Sequence, residues 1–174
     1  IKFGFKDFII AAGYKANIIK EYFKSSPIKK CKVQIIDTGN KSMTGGRLKR
    51  VLPYLKEEKA FCFTYGDGVA DINIKSLIKF HQSHGKLATL TATFPPGRFG
   101  ALSIKDNQVQ KFEEKPKGDG ALINGGYFVL SPKVIERIDG EHTIWEQEPL
   151  KSLASDGELM SFKHDGFWHP MDTL

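Results

Sequence analysis

The chain has 174 residues and a formal net charge of +6, from 26 Lys and Arg against 20 Asp and Glu. Its 40% hydrophobic and 26% charged residues are typical of a soluble globular protein, and the length predicts a single domain over residues 1–174. No apolar run is long enough to span a bilayer and no signal peptide opens the chain, so we expect a cytoplasmic protein that does not bind membranes. Cys31 and Cys62 follow no metal or redox spacing, which predicts reduced thiols, with Cys62 in the core of its strand.

Strands and helices alternate at the start of the chain. The apolar spacing predicts a strand over 7–12, a helix over 16–23 and a strand over 33–37, an order that favours a parallel pair. Later segments with β-type spacing are 61–65, 88–94, 99–104, 109–113, 123–130 and 159–164. Because some of these form hairpins, the sequence predicts a mixed α/β fold rather than a purely alternating one.

Capping patterns predict where two further helices begin. Asp71 is expected to cap a helix that runs to about His84, and Thr143 with Glu146 forms a capping-box pattern for a later helix. His81 and His84 are three residues apart and could share a helix face. With no third ligand nearby in the sequence, we interpret them as structural histidines rather than metal ligands.

Residues 42–50 (SMTGGRLKR) place small residues before a basic helix. A glycine-rich helix start offers backbone N–H groups to an anion, and Arg47 adds a fixed positive charge, so this segment is a candidate phosphate site. The pattern is not that of a P-loop. The alternative is that Thr44 is a plain N-cap and Arg47 a solvated surface residue.

The sequence predicts a tight turn at Gly66-Asp67-Gly68, directly after the predicted strand 61–65. The glycines allow a ligand to approach the backbone, and ligands of open α/β sheets bind at the carboxyl ends of strands. Asp67 is therefore a candidate metal ligand. The alternative is that Gly-Asp-Gly is ordinary turn chemistry.

The positive charge favours anionic partners without separating nucleic acid from small phosphorylated ligands. No arginine-rich tail or zinc-finger spacing is present, which argues against nucleic-acid binding. A basic nucleic-acid-binding domain stays open as an alternative that salt-dependent DNA binding would support.

Six segments in this order resemble the sugar-phosphate nucleotidylyltransferases, and the resemblance runs through nearly the whole chain. The segments are SMTGGRLKR (42–50), FTYGDGVAD (63–71), TLTATFPPGRFGA (89–101), EKPKGDG (114–120), INGGYF (123–128) and GFWHPMDTL (166–174). The likeness is greatest to those members of the family that use CTP and glucose 1-phosphate.

The resemblance implies a nucleotide-diphospho-sugar transferase-like fold, with a mixed, mostly parallel central sheet and helices on both faces. It implies the reaction of CTP with α-D-glucose 1-phosphate to give CDP-glucose and pyrophosphate, assisted by Mg²⁺. CDP-glucose then feeds deoxysugar synthesis for bacterial surface polysaccharides such as O-antigen. The implied partners are these small molecules and further copies of the same chain, with no nucleic acid and no membrane.

The resemblance also implies roles for individual residues. Asp67 and Asp172 correspond to the metal-binding aspartates, and with Lys115, which meets the sugar phosphate, they form the catalytic set. The residues on the nucleotide side are Ser42, Thr44, Arg47 and Gly66. The residues on the sugar side are Gly100, Glu114, Lys115 and Asn124.

The sequence departs from the family pattern in three places. The opening strand with its Gly-rich triphosphate loop, and the helix that follows Asp172 in the family, are expected to be lacking, and the connection after the predicted helix 16–23 is short. If the protein itself lacks the loop, efficient catalysis is not expected; if the loop belongs to a part of the protein outside this sequence, catalysis is expected. Two further alternatives therefore stay open: the same chemistry on another nucleoside triphosphate or sugar phosphate, and a non-catalytic binding subunit.

Overall fold

A parallel strand–helix–strand unit opens the chain in the computed structural model, which describes residues 1–55, 57–96, 101–113 and 121–171. Strands β1 (Asp7–Ala12) and β2 (Lys32–Asp37) pair in parallel from Asp7↔Lys32 to Ala12↔Asp37. Helix α1 (Ala16–Ser25) connects them. This confirms the predicted parallel pair, whose carboxyl ends lie side by side.

The remaining elements follow the predicted order with two additional short strands. The helices are α2 (Thr44–Val51), α3 (Ile74–His84) and α4 (Glu148–Ser155), with short 3-10 helices over Leu52–Tyr54 and Pro132–Arg137. The strands are β3 (Phe61–Thr64), β4 (Gly68–Ala70), β5 (Ala88–Thr93), β6 (Ala101–Lys105), β7 (Gln108–Glu113), β8 (Ile123–Leu130), β9 (Leu159–His164) and β10 (Trp168–Pro170). Strands β4 and β10, each of three residues, were not predicted.

The chain divides into two compact units. The first consists of Ile1–Phe61, Lys86–Ala88 and Leu130–Leu159, and the second of Cys62–Gly85, Thr89–Val129 and Met160–Leu174. In the first unit, apolar side chains of α2, the second 3-10 helix, α4 and the segment between the last two are buried. They include Leu48, Val51, Val134, Ile138, Trp145, Leu150 and Leu153.

The second unit holds most residues of a four-stranded sheet in the order β3–β8–β5–β9. Strand β5 is almost fully buried, and its Thr89, Thr91 and Thr93 are core residues. Two antiparallel pairs, β4–β10 and β6–β7, complete the described strands of this unit. Parallel and antiparallel pairs thus coexist, which confirms the mixed α/β class.

Three local predictions are wrong. Helix α3 is capped by Asn73, whose side chain accepts a hydrogen bond from the backbone N–H of Ser76, and not by Asp71. Thr143 and Glu146 form no capping box, because α4 begins at Glu148. Cys62 is exposed rather than buried in the core. In the described part of the chain, no helix has the length and apolar character needed to cross a membrane.

Candidate active site

Arg47 is held at the carboxyl ends of β1 and β2. Thr38 follows β2 and is fully buried, and its hydroxyl donates to the carbonyl oxygen of Ala12 at 2.7 Å. The same hydroxyl oxygen accepts a hydrogen bond of 2.7 Å from Nη1 of Arg47. Ser42 Oγ donates to the carbonyl oxygen of Thr38 at 2.5 Å. Ser42 and Arg47, both predicted to face the nucleotide, are therefore brought together around one buried threonine at an edge where α/β proteins bind ligands.

Gly13 leaves the space that the Arg47 guanidinium occupies. A Cβ atom at Gly13 would overlap both terminal nitrogens of Arg47. The backbone of Gly13 does not have a positive φ, so a larger residue here would displace the flexible guanidinium of Arg47 and would not strain the backbone.

Two N–H groups in the first turn of α2 already have partners within the first unit. The backbone N–H groups of Gly45 and Gly46 donate to the carbonyl oxygen of Thr143, at 2.9 and 3.3 Å. A Cβ atom at Gly46 would overlap the backbone of Glu141. The prediction that this helix start offers its N–H groups to an anion is therefore wrong for Gly45 and Gly46. The two glycines instead allow the backbone around Thr143 to pack against the helix.

Thr44 is fixed by the same packing. Its hydroxyl donates to Oε2 of Glu146 at 2.7 Å and accepts from the backbone N–H of Trp145 at 2.9 Å. Trp145 is fully buried, so Thr44 ties the start of α2 to the core of the first unit. These contacts give Thr44 a structural role, and its predicted contact with the nucleotide stays a prediction.

In the second unit, Gly66 and Asp67 form the turn between β3 and β4. The Asp67 side chain is exposed, and within the described ranges no hydrogen bond or ion pair involves its carboxylate. A Cβ atom at Gly66 would meet no described atom within 4 Å, so the space beside this backbone is open. The backbone of Asp67 is fixed, because its carbonyl oxygen accepts a 2.7 Å hydrogen bond from the N–H of Met171.

The β4–β10 pair explains that contact. Trp168 lies opposite Ala70 and Pro170 opposite Gly68, so the next step along each strand places Met171 beside Asp67. The chain therefore approaches Asp67 one residue before Asp172. Asp172 itself lies outside the described residues, as do the predicted sugar-side residues Gly100, Glu114 and Lys115.

Asn124, the remaining predicted sugar-side residue, lies near the start of β8. Its Oδ1 accepts a hydrogen bond of 2.9 Å from the backbone N–H of Gly126, which has a φ of +74°. The Asn124 side chain thus stabilises a local bend in the strand. Its predicted contact with the sugar stays a prediction.

Two aromatic side chains that sequence reasoning missed connect β8 to the β4–β10 pair. The Tyr127 hydroxyl donates to the carbonyl oxygen of Gly68 at 2.8 Å, and Nε1 of Trp168 donates to the carbonyl oxygen of Gly125 at 2.7 Å. Burial raises the pKa of Tyr127, which keeps the hydroxyl protonated as a donor. Both residues lie inside the segments that carry the family resemblance, which was the available signal.

The donor chemistry at Asp67 fits a hard divalent cation. Mg²⁺ is held in proteins by one or two carboxylates together with substrate phosphates and water, and an exposed carboxylate at an open turn meets this need. No cluster of three or more potential metal ligands occurs in the parts of the chain that the structure describes.

His81 Nδ1 and His84 Nε2 lie 2.9 and 2.8 Å from the Thr89 hydroxyl, which confirms them as structural histidines.

Residues 1–170 match the nucleotidyl transferase family. The chain belongs to this family. Among its relatives is the glucose-1-phosphate cytidylyltransferase of Salmonella typhimurium, which is 58% identical over 192 residues, covering 98% of this chain and 75% of the relative. The probable glucose-1-phosphate cytidylyltransferase of Bacillus subtilis is 40% identical with the same coverage of both chains.

A solved structure shows the same fold. The crystal structure of HddC from Yersinia pseudotuberculosis is 25% identical to this nucleotidyl transferase, with a TM-score of 0.73, and the match covers 97% of this chain and 74% of HddC. The likeness confirms the predicted nucleotide-diphospho-sugar transferase-like fold.

Proposed function

We propose that this nucleotidyl transferase joins CTP and α-D-glucose 1-phosphate to give CDP-glucose and pyrophosphate. The observation that carries the proposal is the 58% identity, over 98% of the chain, to the Salmonella typhimurium glucose-1-phosphate cytidylyltransferase. In a family whose members differ in base and sugar, this degree of likeness favours the same pair of substrates. The product suits the synthesis of surface polysaccharides, and the setting we propose is cytoplasmic.

In this reaction a phosphate oxygen of glucose 1-phosphate attacks the α-phosphorus of CTP. The bond from the α-phosphorus to the bridging oxygen of the β-phosphate breaks, and pyrophosphate leaves with both electrons of that bond. Two polyanions must approach each other, so the protein acts mainly by positioning them and by balancing their charge.

In the first unit, we assign Arg47 to the nucleotide phosphates. The hydrogen bond to Thr38 fixes one nitrogen of the guanidinium, and the planar group presents further N–H donors that suit a phosphate. Ser42 shares the same support through the carbonyl of Thr38 and is assigned to the nucleotide with it. We assign Thr44 to the nucleotide as well. Its hydroxyl is already bonded to Glu146 and to the N–H of Trp145, so a purely structural role for Thr44 competes with this assignment.

In the second unit, we assign Asp67 and Asp172 to a Mg²⁺ ion and Gly66 to the nucleotide. When bound, the cation neutralises charge on the phosphates. The open turn and exposed carboxylate of Asp67 support its assignment, and the pairing of Met171 with Asp67 supports that of Asp172.

On the sugar side, we assign Lys115 to the phosphate of glucose 1-phosphate, since a flexible ammonium group balances such a charge. The other proposed contacts to the sugar are Gly100, Glu114 and Asn124. We also propose that the protein assembles with further copies of itself, on the basis of the resemblance alone.

The proposal is tested by pyrophosphate release from the purified gene product with Mg²⁺, glucose 1-phosphate and CTP, dTTP, UTP or ATP in turn. We expect release with CTP alone. Release with another nucleotide keeps the chemistry and rejects the assigned base. No release with any nucleotide from a folded protein rejects the enzyme and favours a non-catalytic binding subunit.

A further inference from the structure

His164, the last residue of β9, lies beside the end of the β4–β10 pair that is distant from Asp67. Its Nε2 is 3.1 Å from Oδ1 of Asp71 and 3.1 Å from the carbonyl oxygen of Phe167. Both neighbours are acceptors, so Nε2 carries a hydrogen and donates to both. The His164 side chain is only 10% exposed, although that of Asp71 is 63% exposed. The ring is therefore placed by packing and bridges the two strands.

Gly166 allows the chain to turn tightly at this point. A Cβ atom at Gly166 would overlap Oδ1 of Asp71 and the ring of His164. Beyond the turn, the backbone N–H of Asp71 donates to the carbonyl oxygen of Phe167 at 3.1 Å. The start of β10 is thus fixed against the end of β4 by side-chain and backbone contacts together.

The register of this pair decides which residues meet Asp67. Side chains alternate along a strand, so a shift of one residue would turn each one to the other face and move Met171 away from Asp67. Each strand has only three residues, so the strands provide few hydrogen bonds to hold the register themselves. The contacts of His164 beyond the strand ends therefore contribute to the register, together with the hydrogen bonds of Tyr127 and Trp168 that join the pair to β8.

We propose that His164 and Asp71 are positioning residues that fix the register of β10 against β4 and thereby hold Met171 beside Asp67, which keeps the Asp67 turn in place for the divalent cation. The inference rests on the metal assignment of the proposed function. It assigns His164 no contact with a substrate: the imidazole acts through Asp71 and Phe167, at the other end of the strand pair.

The test is the binding of Mn²⁺ to the protein in the presence of CTP, measured by electron paramagnetic resonance of the unbound ion, which does not depend on turnover. His164→Phe keeps a ring and removes the donor, and we expect Mn²⁺ affinity to fall about 10-fold or more with little change in melting temperature. His164→Gln restores an N–H donor near Nε2 and should recover the affinity. His142→Phe, at a histidine that is 77% exposed in the first unit, is the matched control.

Loss in His164→Phe with recovery in His164→Gln supports the inference. Wild-type affinity in His164→Phe overturns it, as does equal loss in both variants, because the hydrogen bond would then not be the cause. If His164→Phe fails to fold, Asp71→Ala removes the other partner of the hydrogen bond. A loss of Mn²⁺ affinity in Asp71→Ala then supports the inference, and wild-type affinity overturns it. A wild-type protein that binds no Mn²⁺ overturns the metal assignment itself, and the inference with it.

Discussion

The backbone N–H of Met171 donates a hydrogen bond of 2.7 Å to the carbonyl oxygen of Asp67, although the two residues lie far apart in the sequence. This contact fixes the backbone of Asp67 while its carboxylate stays exposed at an open turn. It also brings Met171, the residue that precedes Asp172 in the sequence, beside Asp67.

Asp67→Asn keeps the size of the side chain and removes its charge. We expect the rate of CDP-glucose formation to fall at least about 100-fold, because a neutral amide neither holds the cation well nor balances phosphate charge. The melting temperature should change little, since the side chain is exposed. Steady-state kinetics and thermal unfolding measure both effects. Asp106→Asn, in the turn between β6 and β7, is the control, and near-normal turnover of Asp67→Asn would reject the metal role.

Gly13→Ala should displace Arg47 without touching the substrate directly. The added methyl group overlaps the guanidinium and would move it away from the nucleotide phosphates to which we assign it. Loss of a hydrogen bond to a charged group costs roughly 1.5–3 kcal/mol, so we expect the KM for CTP to rise about 10- to 100-fold. Gly140→Ala is the matched control, because a Cβ atom there meets nothing within 4 Å of the described structure. An unchanged KM in Gly13→Ala would argue that Arg47 does not bind the nucleotide.

Thr44→Val distinguishes a structural role from a nucleotide contact. The variant leaves the N–H of Trp145 and the carboxylate of Glu146 without the Thr44 hydroxyl, and we expect the free energy of unfolding to fall by about 1–3 kcal/mol. Urea unfolding measures the loss, and Thr44→Ser should recover most of it. A raised KM for CTP with unchanged stability would contradict the structural role and favour the contact with CTP.

His81 should make the protein less stable in mild acid. Burial, and after it the neighbouring His84, lower the pKa of His81 below its usual value of 6.5. Because the folded state then binds fewer protons than the unfolded state, stability is fully present above about pH 6.5 and falls as the pH drops towards the folded-state pKa. Urea unfolding between about pH 7.5 and pH 5 measures the slope.

His81→Asn should flatten this dependence, because the amide can still bond to the Thr89 hydroxyl but does not titrate in this range. His142→Asn, at an exposed histidine, should keep the wild-type slope. A slope that is the same in His81→Asn and in the wild type would show that His81 is not the group responsible.

Local sequence signals predicted most of the elements, because they depend on spacing along the chain. The predicted strands 99–104 and 109–113 are one example: β6 and β7 pair as a hairpin, and Asp106 and Asn107 between them both have positive φ, which these residue types tolerate well. Strands β4 and β10 were not predicted because three residues are too few to show the alternating apolar pattern of a strand. They are recognised as strands from their antiparallel pairing with each other.

In the candidate site too, features that follow from a local sequence pattern were predicted, and features that depend on contacts between distant residues were not. The turn around Asp67 was visible, because glycines beside a carboxylate are a local pattern. The use of Gly45 and Gly46 was misread, because their partner is the carbonyl of Thr143, and no property of the glycine segment indicates a distant backbone. The contacts of His164 were missed for the same reason.

The formation of CDP-glucose tests the central claim most directly. Phosphorus NMR of the wild-type protein with CTP, α-D-glucose 1-phosphate and Mg²⁺, recorded beside Asp67→Asn, follows substrates and products together. We predict CDP-glucose and pyrophosphate in equal amounts from the wild type and neither above background from the variant. Intact CTP and glucose 1-phosphate in the wild-type sample, or equal product in both samples, would contradict the account.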